Sequence, residues 1–162
     1  MLDDSLSRPA DEPLVPPKQM AAWRAFLTAH ARITDRLARE LRDREELPLT
    51  WYDVLVQLSA APDHRLRMQE LAARVVLSKS GLTRLIDRME QAGYVDRFPC
   101  TDDRRGTFAQ MTETGYATIK RTAPTHLAGI REHFADVIDD AEAEVVAAAL
   151  TRVLAHLGDE PV

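Results

Sequence analysis

SKSGLTRLIDRMEQAGYVDRFPCTDDRRGTFAQMT, residues 78–112, reads as one helix followed by a hairpin. Ser78 is a good helix N-cap. Leu82, Leu85, Ile86 and Met89 recur at helical spacing, and Gly93 supplies a left-handed stop. YVDRF and TFAQMT, on either side of DDRRG, read as two strands. A hairpin tip ordinarily takes small, flexible residues such as Asn-Gly or Asp-Gly. Arg104 and Arg105, directly behind Asp102 and Asp103, therefore need a reason: they face either solvent or something anionic.

The helix opened by Ser78 bears on that choice. With its apolar stripe buried, the opposite side presents Lys79, Ser80, Thr83, Arg84, Asp87 and Arg88. Residues three and four apart share a face, so Ser80, Thr83, Arg84 and Asp87 stand together near the helix start. Short hydroxyl side chains and an arginine at a helix N-terminal end suit the DNA major groove. There arginine forks onto guanine, and Ser or Thr contacts base or backbone. Taken alone, the same face reads equally as a solvated one.

The neighbouring segments change the balance. MQELAARV, residues 68–75, has Met68, Leu71, Ala72 and Val75 as its apolar side, and a brief turn at Val76-Leu77 separates it from the next helix. Two short helices joined by a tight turn form a helix-turn-helix pattern, and the hairpin makes it a winged one. A wing beside the recognition helix falls over the adjacent minor groove, whose concentrated negative potential attracts arginine. The expected DNA contacts are Ser78, Lys79, Ser80, Thr83, Arg84 and Arg88 on the helix. On the wing they are Asp103, Arg104 and Arg105, with an aspartate bracing one guanidinium.

Outside this unit the chain is helical. Residues 1–17 hold four prolines and no periodicity, which reads as a disordered arm. From Lys18, Met20, Trp23, Leu27, Leu37 and Leu41 follow helical spacing until Leu47-Pro48-Leu49 ends the helix. Thr50 is the expected cap of a second helix closing near Pro62. Thr112 is the expected cap of a long helix through Tyr116, Ile119, Leu127, Phe134 and Val137, bent at Pro124. A last helix carries Val145, Val146, Leu150, Val153 and Leu157. The fold class is mainly α with a small β-wing: a winged helix-turn-helix over 48–112, with long terminal helical segments over 18–47 and 113–158.

The net charge of −5 taken alone opposes a nucleic-acid partner, but its distribution does not. From Arg65 to Arg105, nine Lys or Arg stand against six Asp or Glu, while the rest of the chain holds 12 basic and 20 acidic residues. A basic middle on an acidic body orients docking.

Taken together, Gly93, Tyr94 to Phe98, Asp103-Arg104-Arg105, Met111-Thr112 and Gly115 resemble the recognition-helix and wing pattern of the MarR family of winged-helix transcription regulators. The resemblance covers roughly residues 20–157. Ala109 and Met111 depart from the usual Val and Leu but stay apolar. The resemblance implies a homodimer, paired through its terminal helices and binding a pseudo-palindromic operator in double-stranded DNA. The apolar stripes of those helices exceed what one winged domain can cover, which points to the same partner surface. It further implies a repressor relieved by a small aromatic or phenolic effector, held in a cleft that Trp23, Phe26, His30, Trp51 and Tyr52 could line. Those rings read equally well as core.

The remaining features exclude more than they assign. No Gly-rich phosphate loop, paired carboxylate or nucleophile–base signature supports an enzyme. His30, His126 and His133 lack the companions of a metal site and read as packing or interface residues, so neither metal nor cofactor is expected. Cys100, the single cysteine, rules out an internal disulfide framework and fits a reducing, cytoplasmic setting. It is either a thiol sensor favoured by nearby arginines or an incidental wing residue. No run reaches membrane-spanning length. A winged module that binds protein rather than DNA stays open as an alternative.

Overall fold

Helix formation starts at a proline. The computed structural model of the chain describes residues 14–75, 77–100 and 106–158. In it α1 runs Pro17–Glu45 with Pro17 at the first helical position, where a missing N–H costs nothing. Pro17 thus belongs to the helix rather than to the expected arm, whose residues 1–13 lie outside the described ones. Glu46 ends α1 in the left-handed conformation, and Arg42 and Arg44 in the last turn oppose the negative end of the helix dipole.

The second helix, α2, spans Leu49–Ala60. Its N-cap is Pro48, not the expected Thr50. Pro48 is held at φ −62°, and its carbonyl accepts from the Trp51 and Tyr52 N–H groups. A short 3-10 turn, Pro62–His64, leads into β1, Arg65–Arg67. Sequence reasoning missed this strand. Three residues are too few to show alternation, and only Leu66 faces inward. Its ladder partner lies far along the chain: Leu66 pairs with Ala109, completing an antiparallel sheet of order β1-β3-β2.

The winged unit follows the expected plan. α3 is Met68–Arg74, α4 Lys79–Gln91, β2 Val95–Pro99 and β3 Thr107–Met111. The Ser78 hydroxyl caps α4 by accepting from the Gly81 N–H at 3.1 Å. Gly93 takes φ +79° just past its end, a conformation that costs glycine little. Leu82, Leu85, Ile86 and Met89 are all buried. They meet Tyr52, Val54, Leu55 and Leu58 of α2, Leu71 of α3, and Val95, Ala109 and Met111 of the sheet in one core, closed by Leu41 and Ile119 of the long helices.

Thr112 joins two elements. Its N–H donates to the Tyr94 carbonyl, its hydroxyl donates to the Gly93 carbonyl at 2.7 Å, and the same oxygen caps α5 by accepting from the Gly115 N–H at 3.1 Å. α5, Glu113–Ile130, continues through Pro124, and its departure from α geometry comes later, in a π-helical turn at Arg131–Ala135. A Cβ on Gly115 would collide with the Tyr94 carbonyl and stand 2.8 Å from Met111 Cγ. Gly115→Ala is therefore expected to cost roughly 1–3 kcal/mol of stability, as overpacking does. Chemical denaturation checks this; an unchanged midpoint would mean that the α5 start can move aside.

α6, Asp140–Leu157, opens with a reciprocal cap between Asp139 and Glu142 and stops at Gly158, φ +82°. None of its residues is buried. No helix among the described residues is long and apolar enough to cross a membrane.

Candidate nucleic-acid interface

The buried stripe of α4 dictates what its other side shows. Lys79, Ser80, Thr83, Arg84 and Arg88 are exposed, and Asp87 is half-exposed. The Thr83 hydroxyl donates to the Lys79 carbonyl at 2.9 Å, which leaves its methyl group and lone pairs facing outward. Ser78 is occupied as the cap and lies 3.4 Å from the Ser80 hydroxyl. Its role is local. α3 packs behind α4, with the Leu77 N–H bonded to the Ala72 carbonyl across the turn.

A cleft of about 420 Å³ separates the start of α3 from α4 and the hairpin, and Arg67, Lys79, Thr83 and Arg97 line it. Arg67 and Arg65 also hold their guanidinium groups 5.4 and 5.2 Å from the Phe108 ring on the outer face of the sheet. β1 therefore adds two cations near the hairpin that sequence reasoning did not assign, because the strand itself was invisible. Asp103, Arg104 and Arg105, the expected wing contacts, lie outside the described residues.

Arg97, one of the arginines near Cys100 in sequence, is engaged elsewhere. It bonds Asp87 Oδ1 at 2.6 Å through Nη1, and Glu90 Oε2 at 2.8 and 2.5 Å through Nε and Nη2. The Glu90 hydrogen bonds raise the guanidinium above its ordinary value, against a lowering by burial. Cys100 is buried, and its N–H donates to the Gly106 carbonyl at 2.9 Å. Of the arginines near it in sequence, Arg97 is committed to two carboxylates, and Arg104 and Arg105 lie outside the described residues.

The five residues expected around an effector do not share one cleft in the protomer. Trp23, Phe26 and His30 follow one another along α1 at ring separations of 6.2 Å. Trp51 packs edge-on against Tyr94 at 5.3 Å, whereas Tyr52 is buried with its ring 4.3 Å from that of His126. The Trp51 and Tyr52 rings thus pack on different partners. Tyr52 and His126, with Asp53, Gln57 and Arg74, border a cavity of about 490 Å³ between α2, α3 and α5.

His126 is the residue missed there. Its Nδ1 is buried without a hydrogen-bond partner, and burial lowers its pKa, opposed by Glu40. Burial also raises Asp53, and raises Tyr52 with a smaller contribution from Asp53. His133, by contrast, bonds Glu40 at 2.6 Å and ties the π turn to α1. Among the described residues no cluster of His, Cys, Asp and Glu is arranged to hold a metal ion.

The winged unit coincides with a known family description: residues 46–106 match the MarR family. Over almost the whole fold the chain superposes on AbsC, a MarR family transcriptional regulator from Streptomyces coelicolor. The TM-score is 0.83 at 36% identity, over 90% of this chain and 98% of that one. The chain belongs to the MarR family. It is accordingly a transcriptional regulator and not an enzyme. This MarR-family chain also resembles Sco3205, another MarR regulator from Streptomyces coelicolor, solved in complex with DNA. That match has 33% identity and a TM-score of 0.80, over 90% of this chain and 91% of that one. Among curated relatives, PecS from Dickeya dadantii is 29% identical over 127 residues, 77% of this chain and 75% of PecS.

Proposed function

We propose that the protein is a homodimer that binds a pseudo-palindromic operator in double-stranded DNA and represses transcription from it. The observation that carries the DNA reading is the α4 face: five basic or hydroxyl side chains, Lys79, Ser80, Thr83, Arg84 and Arg88, all exposed on a helix whose other side is core. The likeness to a regulator solved with DNA supports the same use of the fold. Arg104 and Arg105 would enter the flanking minor groove, with Asp103 steadying one of them. A dimer seated on its operator excludes other proteins from that duplex, which is the physical basis of repression.

The dimer reading rests on apolar surface left uncovered. Residues 18–47 and 113–158 carry it. Phe26 is 42% exposed, Leu127 60%, Val153 54% and Leu157 67%. A groove of about 500 Å³ with Phe26, Ile33, Phe134, Val146 and Leu150 on its walls runs between α1 and α6. A second copy presents the same stripes and covers them symmetrically. For release, the cavity against Tyr52 and His126 supports a small aromatic ligand, because it joins the winged unit to α5.

Selection from random duplex DNA followed by footprinting tests the proposal. Two half-sites centred about one helical turn apart, roughly 10 base pairs, are expected, with flanking minor-groove protection lost in the Arg104→Ala/Arg105→Ala double variant. One asymmetric half-site protected by a monomer would overturn both the dimer and the operator geometry.

The recognition face also predicts a division of labour. Alanine at Thr83 or Arg84 should change which sequence is preferred, by about 1–3 kcal/mol at single positions. Alanine at Lys79 or Arg88 should weaken binding to all sequences alike and lower the salt dependence. Binding to a panel of single-base operator variants separates the two. Unchanged preference in the Thr83 and Arg84 variants would count against the face.

A further inference from the structure

The hairpin needs an anchor that its apolar residues do not supply. On β2 only Val95 is buried, and Asp96, Phe98 and Pro99 are exposed. On β3 the buried side chains are Ala109 and Met111, and Ala109 is the ladder partner of Arg97. Beyond the Arg97–Ala109 pair, Cys100 is the one buried side chain among the described residues of the hairpin.

Arg97, at the middle of β2, is the last residue toward the tip whose ladder partner is buried, and it reaches across to α4. Its Nη1 bonds Asp87 at 2.6 Å, while Nε and Nη2 converge on one oxygen of Glu90 at 2.8 and 2.5 Å. Asp87 and Glu90 are three apart on α4 and so share a face. A planar guanidinium that satisfies two carboxylates at once fixes direction as well as distance, which a lysine cannot do. We infer that Arg97 is a positioning residue for DNA binding, clamping the β2–β3 hairpin at one angle to the recognition helix through Asp87 and Glu90. This rests on the DNA-binding reading above.

The clamp contributes geometry more than fold stability. The three side chains are 32%, 40% and 34% exposed for Arg97, Asp87 and Glu90, and ion pairs this open to solvent contribute little to folding. Asp87 also stands one turn from Thr83 and next to Arg88. Without Arg97, two carboxylates would face the DNA side of α4 uncompensated.

The inference separates cleanly from simple electrostatics because the two predict opposite signs. Asp87→Asn/Glu90→Gln removes two negative charges beside the proposed DNA face, so charge alone predicts tighter binding. The clamp predicts weaker binding, by roughly tenfold. Arg97→Met should weaken binding to the same extent, and adding it to the Asn/Gln pair should cost nothing further, because all three residues act as one unit. Arg97→Lys should stay several-fold weak although it keeps the charge.

The experiment is fluorescence anisotropy on the selected duplex with all four variants, with circular dichroism melts as the fold control. Equal or tighter binding by the Asn/Gln pair overturns the clamp. So does a roughly hundredfold loss in the triple variant, which would make Arg97 an independent phosphate contact. A wild-type protein that retains no duplex overturns instead the DNA-binding reading on which the clamp depends.

Discussion

Val146→Asp/Leu150→Asp should run as a monomer and lose roughly 10²–10⁴-fold in operator affinity. Both side chains stand on α6, none of whose residues is buried within the protomer, and both wall the apolar groove against α1. Two carboxylates there would be desolvated without partners on assembly, a penalty of several kcal/mol that a dimer cannot offset. The loss of affinity follows from linkage: the second half-site is bound at a high effective concentration only while the subunits are joined. Sedimentation and operator titration of the same preparation check both parts. A dimer of undiminished stability would show that α6 faces something other than a second copy.

Ile86→Ala should cost roughly 2–5 kcal/mol of stability. Ile86 is fully buried in α4 and packs in the core that joins α2, α3 and the sheet. The lost transfer energy and the cavity left among well-packed neighbours add. Thr83→Ala, three residues earlier and exposed, should move stability by less than about 0.5 kcal/mol. Denaturant titration of the pair therefore tests whether α4 has one structural and one functional side. A cost below about 1 kcal/mol at Ile86 would mean a looser core than the packing implies.

The legibility of this fold follows the range of the interactions that make it. α4 was readable because its signals are local: a serine cap, a stripe at helical spacing and a glycine where φ turns positive. Thr112 was readable as a cap for the same reason. β1 was not, since Leu66 is inward only because Ala109 waits for it on another strand. The α2 start was misread by two residues because a threonine is the usual capping type, yet Pro48 already held the needed φ.

The candidate site divides in the same way. The polar face of α4 followed from the burial of its stripe and needed no tertiary information. The partners of Arg97 did need it: nothing in the spacing of residues 87, 90 and 97 says that a strand will fold back over a helix. Trp51 and Tyr52 looked like two walls of one cleft because sequence shows aromatic residues without their directions. His126 read only as a packing or interface residue, since an unpartnered buried nitrogen is visible only when its surroundings are.

Thr112 has a mechanical meaning. The residue that starts α5 also grips, through its hydroxyl and its N–H, the carbonyls of Gly93 and Tyr94 at the exit of α4. Below it, Gly115 leaves no room for a methyl group, so the joint has no play. A hinge would absorb movement; this joint is a rigid elbow. A tilt of the long helix would therefore pull directly on the carbonyls at the end of α4, and the length of α5 sets the leverage.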